Sequence, residues 1–218
     1  MSDIKFTESS LEIAVIEQLQ ELGYDYAIDT DQWCLSRALD SFINEELLLE
    51  RLMAINPGVK ISVLEQAISR LKNLDNPSLF ERNHIVHRWL TDGMQVEDYE
   101  SDVNPLVRFL DFTHPDNNVF QVANQLKFKE NRNIRIPDVI IFVNGIPLVV
   151  FELKSIEYNE DTFIERAYEQ LGRNGESDGY RYDIPTLFNY NAFLVISDGA
   201  NNKVGTLTSD ITRYNEWK

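Results

Sequence analysis

Three polar side chains stand where an apolar strand should exclude them. The segment RIPDVIIFVNGIPLVVFELKS, residues 135–155, places Asp138 after a proline. Beyond an Asn-Gly pair it places Glu152 and Lys154 inside a run of Val, Leu and Phe. Two carboxylates brought together repel unless a cation lies between them or one is protonated. A small oxygen-ligand cluster of this kind suits Mg²⁺ or Mn²⁺. A lysine two residues on could then orient an attacking water or neutralise charge developing on a phosphoryl oxygen.

Whether the acids meet depends on strand register. Asn144-Gly145 between two β-branched runs predicts a hairpin. With a plain two-residue turn, Asp138 opposes Phe151 and the charges fall on different faces. One extra residue, in a three-residue loop or a bulge near Pro147, puts Asp138 opposite Glu152 with Lys154 on the same face. Pro147 has no N–H for the ladder, so an irregularity there is expected. The competing reading is a Glu152–Lys154 pair on the solvent face of an edge strand. Against it, Val149, Phe151 and Leu153 fill one face while Leu148 and Val150 continue the other, as in a strand buried on both sides.

Other elements must hold this hairpin. Residues 9–22 carry Leu11, Val15, Leu19 and Leu22 at helical spacing, with Gly23 as the stop. From 31 to 92 the pattern stays helical, broken at Pro57-Gly58 and Pro77, and predicts a lobe of about three helices. After Gly93 strands are expected from Pro105, Asn118, Ile136 and Pro147. A helix follows at 160–173, then strands in AFLVISDG and VGTLT. The expectation is a single α/β domain over 1–218, with a core from 9–24 and 94–212 and a helical insertion at 31–92.

Composition narrows the function classes. The chain has 218 residues, 43% of them apolar, enough to bury a core. Its net charge of −16 argues against broad adhesion to polyanions. Locally the balance reverses: residues 125–136 carry Lys127, Lys129, Arg132 and Arg135 against Glu130 alone, as a phosphate-binding rim would. One cysteine, Cys34, leaves no internal disulfide, and with three histidines no Cys/His zinc site is expected. His84-x-x-His87 is assigned to helix surface or packing. No signal peptide or membrane span is evident, so a cytoplasmic protein without a membrane partner is expected.

The Pro-Asp and Glu-Leu-Lys pieces resemble the PD-(D/E)XK nuclease signature. The longer text FQVANQLKFKENRNIRIPDVIIFVNGIPLVVFELKS, with AYEQLGR, IPTLFNYNAFLVISDGANNKVGTLTSD and YNEWK, resembles the N-terminal nuclease region of the R, or motor, subunit of type I restriction enzymes. The likeness covers nearly the whole chain and is strongest from Asn118 onward. It implies a PD-(D/E)XK restriction-endonuclease-like mixed sheet flanked by helices. It also implies Mg²⁺-dependent cleavage of double-stranded DNA, with Mn²⁺ as a substitute, in a complex with methyltransferase and specificity subunits. No Gly-x-x-x-x-Gly-Lys-Ser/Thr segment is present, so ATP would bind only in motor domains outside these residues, and the chain is expected to be a fragment of a longer subunit.

Carried over, the resemblance makes Asp138 and Glu152 metal ligands and Lys154 the catalytic lysine. Glu12 fits a helical third ligand, with Glu8 a weaker candidate. Glu12 also completes a Ser9-x-x-Glu12 capping box, which needs no metal. The family's Gln-x-x-x-Tyr motif supplies Gln170, to position DNA or the lysine, but Asn174 stands where the tyrosine belongs. Two alternatives remain beside the endonuclease: a docking module coupling a motor to partner subunits, and a stand-alone repair nuclease.

Overall fold

The computed structural model describes residues 7–101, 103–155, 160–172 and 178–217. Helices are α1 (Glu8–Glu21), α2 (Ala27–Thr30), α3 (Gln32–Ser36), α4 (Glu45–Ile55), α5 (Ile61–Lys72), α6 (Leu79–Asp92), α7 (Glu160–Leu171), α8 (Tyr180–Asp183) and α9 (Pro185–Tyr190). Strands are β1 (Asp25–Tyr26), β2 (Met94–Gln95), β3 (Leu106–Val107), β4 (Phe120–Asn124), β5 (Phe128–Glu130), β6 (Asn133–Arg135), β7 (Val139–Val143), β8 (Ile146–Leu153), β9 (Phe193–Ser197), β10 (Asn202–Gly205) and β11 (Asn215–Glu216). Seven strands form a mixed sheet in the order β1-β4-β7-β8-β9-β10-β11, while β2–β3 and β5–β6 pair separately. The sheet with its flanking helices agrees with the expected α/β nuclease-like architecture.

The β7–β8 hairpin carries the expected irregularity. Asn144 and Gly145 have φ of 52° and 80°, the left-handed pair that a tight two-residue hairpin turn requires. Val143 pairs with Ile146 and Phe142 with Pro147; then Ile141 pairs with Val149, leaving Leu148 as an unopposed bulge. Beyond it Ile140 pairs with Val150 and Val139 with Phe151. The extra residue therefore lies one position past Pro147.

The turn itself is buried rather than displayed. Asn144 accepts the Val119 N–H at 2.8 Å on its Oδ1 and donates through Nδ2 to the Phe109 carbonyl and Asn118 Oδ1, both at 2.9 Å. The Gly145 carbonyl accepts the N–H of Asn44, the residue whose side chain caps α4. A Cβ on Gly145 would meet the Asn44 carbonyl oxygen at 2.6 Å, so only glycine fits this left-handed position.

Two apolar clusters sandwich the sheet. Leu11 and Ile16 of α1 pack on Val122, Val139 and Leu153. The larger cluster joins Ala123, Ile140, Val150, Leu194 and Ile196 to the helical lobe and to Phe163, Ala167 and Leu171 of α7. In α5 the buried Val63, Leu64, Ala67, Ile68 and Leu71 recur every three to four residues, the stripe that anchors the lobe.

Three expectations need correction. The N-cap of α1 is Thr7, whose side chain accepts from the Ser10 N–H, so Ser9 and Glu12 form no capping box. The strand from Pro105 shrinks to Leu106–Val107. β1 and β11, two residues each, extend the sheet edges and were not anticipated. Among the described residues no helix is long and apolar enough to cross a membrane.

Candidate active site

Pro137 and Asp138 lead into β7, and the Asp138 side chain turns toward β8. Asp138 Oδ2 accepts the Leu153 N–H at 2.7 Å, and the Asp138 carbonyl accepts from the Gln125 N–H at 3.1 Å. Continuing the register from Val139–Phe151 sets Asp138 opposite Glu152, where paired Cβ atoms lie about 4.5–5.5 Å apart. Glu152 shares its face with Val150 and is 0% exposed, covered from the far side by the parallel strand β9, where it pairs with Ile196.

Lys154, 8% exposed, donates from Nζ to Glu152 Oε1 and, at 2.9 Å, to Oε1 of Gln170 on α7. Its own N–H is held by the Ser197 carbonyl at 2.9 Å. The second Glu152 oxygen, Oε2, is buried with no hydrogen-bond partner among the described residues. An orphaned anionic oxygen at the bottom of a polar site is costly unless a cation or proton meets it.

The electrostatics agree. Burial, then the Asp138 charge, push the Glu152 carboxyl up from 4.5 to about 8, against the opposing pull of Lys154. Burial is also the main reason Asp138 rises from 3.8 to about 6, and Glu12 and Glu8 raise it further. Two buried acids that resist joint ionisation, one with a free oxygen, are what a divalent cation would relieve, so the donor set fits Mg²⁺ or Mn²⁺. Among the described residues no three His, Cys, Asp or Glu side chains converge as a ready-made metal group; the fit is that of the carboxylate pair.

Glu12 is buried and approaches from the α1 side of the sheet. Its two oxygens accept from Asn124 Nδ2 at 3.0 Å and Gln125 Nε2 at 2.8 Å, at the end of β4 beside Asp138. Its charge acts on Asp138 while its oxygens are engaged by amides. Glu8 opens α1 and lines the cleft in front of Lys154.

That cleft, about 860 Å³, is walled by Glu8, Ile134, Arg135, Lys154, Arg166 and Gln170, with Tyr180 among its remaining residues. Of the four basic residues expected at a phosphate rim, only Arg135 lines it, where it also pairs with Asp183. Lys129 faces a different hollow, together with Glu130 and Tyr190. Lys127 and Arg132 are exposed and line neither hollow. Arg166 is a cleft residue that the sequence did not single out. His84 is exposed on the helix surface, and His87 Nε2 bonds the Asn191 carbonyl at 2.9 Å and belongs to packing.

Asn174 lies outside the described residues, but a tyrosine does reach Gln170. Gln170 Nε2 donates to the Tyr180 hydroxyl at 2.6 Å, and that hydroxyl donates to the Ile136 carbonyl at 3.1 Å. The chain leaves α7 at Gly172 and re-enters at Gly179, both with left-handed φ, and a Cβ on Gly179 would stand 2.5 Å from the Gly172 Cα. The approach of the two glycines sets Tyr180 beside the end of α7. Two glycines flanking the polar run between Gln170 and Tyr180 were the signal available in the sequence.

Comparison with known proteins places this arrangement. The family model for the type I restriction enzyme R protein N terminus matches residues 5–213. The chain is 33% identical over 219 aligned positions to the type I restriction enzyme HindI endonuclease subunit of Haemophilus influenzae, covering 97% of this chain and 20% of that protein. It is 30% identical to the putative type I restriction enzyme MjaIXP endonuclease subunit of Methanocaldococcus jannaschii, covering 95% and 20%. A type I restriction enzyme endonuclease subunit of Staphylococcus aureus is 32% identical over 202 positions, covering 90% and 19%. The chain thus spans about a fifth of the length of these relatives.

Proposed function

The chain belongs to the family of type I restriction enzyme R protein N-terminal regions, and we propose that it is the endonuclease module of such a subunit, hydrolysing DNA phosphodiester bonds with a divalent metal. The observation that carries this reading is the buried Asp138–Glu152 pair, opposed through the Leu148 bulge, with an orphaned Glu152 oxygen and Lys154 alongside. Asp138 and Glu152 would hold Mg²⁺, with Mn²⁺ as a substitute, and Glu12 would add negative charge from behind Asp138. When bound, the metal supplies Lewis acidity toward a phosphoryl oxygen and lowers the pKa of water. Lys154, steered by Gln170, orients the attacking water or meets charge on the phosphoryl oxygen. Arg135 and Arg166 contact the backbone of double-stranded DNA at the cleft, and such contacts position without reading sequence.

Target recognition would then fall to specificity and methyltransferase partner subunits, and ATP hydrolysis to other parts of the longer subunit. The test replaces Asp138, Glu152 and Lys154 singly with Ala in the complete enzyme. Loss of cleavage with ATPase intact is expected; cleavage retained in all three sinks the proposal. A docking module remains the second reading, favoured by the absence of Lys127, Lys129 and Arg132 from the cleft. Mn²⁺ titration separates the two, because a ligand that binds the folded chain raises its stability by mass action, and no rise would favour docking.

A further inference from the structure

We propose that Tyr180 is a positioning residue for cleavage, its hydroxyl fixing the Gln170 carboxamide that holds Lys154 and, at the same time, the backbone that presents Asp138. The inference rests on the nuclease reading above and adds a residue and a device to it. Four groups form one directed chain. The Lys154 ammonium donates to Gln170 Oε1, Gln170 Nε2 donates to the Tyr180 oxygen, and Tyr180 donates to the Ile136 carbonyl, two residues before Asp138. An ammonium only donates, so Gln170 must turn its oxygen to Lys154 and its NH₂ away. That NH₂ then needs an acceptor, and the Tyr180 oxygen can accept because its proton is committed to Ile136. Each bond in such a series strengthens its neighbours.

The hydroxyl thus ties the lysine arm of the site to the aspartate arm, in addition to the β7–β8 ladder and the Leu153 N–H bond to Asp138 that also join them. The ring is packed in the main core, 4% exposed, so exchanging Tyr for Phe removes the hydroxyl and leaves the packing. Burial and the nearby Glu152 charge push the Tyr180 hydroxyl up, which keeps it neutral and able to donate. The Gly172–Gly179 contact delivers it to this place although it stands ten residues after Gln170 rather than four.

The experiment measures the single-turnover cleavage rate at saturating DNA, and DNA affinity, in the complete enzyme. Variants are Tyr180→Phe, Gln170→Glu, their combination, and Lys154→Ala as the reference. Removing the hydroxyl strands the Gln170 NH₂ and the Ile136 carbonyl, so Tyr180→Phe should slow cleavage about tenfold with DNA affinity unchanged. In the Gln170→Glu background no N–H remains to be stranded, so the same exchange should cost less than about threefold. Equal cost in both backgrounds would assign Tyr180 to structure alone and overturn the inference. No cost in either, while Lys154→Ala abolishes cleavage, overturns it and leaves the nuclease reading standing. Cleavage surviving Lys154→Ala removes both. Should Tyr180→Phe fail to fold, Gln170→Glu against the parent decides: Glu keeps an acceptor for Lys154 but cannot donate to Tyr180, so slower cleavage with DNA affinity unchanged supports the chain of bonds, and the parental rate overturns it.

Discussion

Replacing Glu152 with Gln should make the metal-free chain more stable at alkaline pH, although Glu152 is placed in the site. The carboxyl is 0% exposed and has its pKa raised from 4.5 to about 8, first by burial and then by Asp138. Between those values the folded chain binds a proton that the unfolded chain has released. Stability therefore falls as pH rises through this window. Below about 4.5 the acid is neutral in both states and the penalty is absent; above about 8 it is fully felt. A rise of this size corresponds to roughly 4–5 kcal/mol between the two limits, and to roughly 3–4 kcal/mol between about pH 5 and 8.5. Gln fills the same volume without the charge, so Glu152→Gln should gain stability relative to the parent by that amount across the range.

Urea unfolding of both 218-residue chains in chelator, at pH 5 and 8.5, reads the difference directly. Mn²⁺ added at pH 8.5 should then narrow the gap. At about a hundredfold excess over its Kd, a ligand contributes about 2.7 kcal/mol to the parent, and the Gln variant should gain much less. A stability difference that does not change with pH would refute the claim that burial of the Glu152 carboxylate outweighs its pairing with Lys154.

Two further outcomes follow from the surroundings. Asn144→Ala should destabilise the chain by about 2 kcal/mol or more, because it leaves the part-buried Val119 N–H and the buried Phe109 carbonyl without their Asn144 partner; a thermal or urea midpoint within error of the parent would contradict this. In DNA binding by the complete enzyme, Arg135→Ala should reduce the slope of log affinity against log salt by about 0.9, the contribution of one phosphate contact, whereas Lys129→Ala, facing the other hollow, should leave it unchanged.

The hairpin was legible because its logic is local. Asn144-Gly145, a proline and the alternation of apolar residues state both the turn and the need for one extra residue, and the bulge at Leu148 is that residue. Glu12 carried two readings, and the structure removes the capping box: its oxygens meet the amides of Asn124 and Gln125, not its own helix terminus. The basic run misled because charge close in sequence is not charge close in space. On the β5–β6 pair, Phe128 lies opposite Arg135 and Lys129 opposite Ile134, so the alternating side chains separate Arg135 from Lys129. Tyr180 was invisible to a fixed four-residue spacing because it stands ten residues after Gln170 and is brought back by the contact of Gly179 with Gly172. β1 and β11 are too short to carry a period and are recruited by the strands they join.

The Leu148 bulge makes this site a matter of odd and even. Side-chain direction alternates along a strand, so the number of residues between Asp138 and Glu152 acts as a parity check on the chemistry. Insertions or deletions of two residues around the turn could preserve the opposition of the acids while changing the length of the hairpin. A change of one would keep the apolar composition and reverse which face receives each carboxylate. Families built on this hairpin should therefore tolerate length variation there in steps of two, and a natural chain that differs by one must carry a second bulge or have lost its cut.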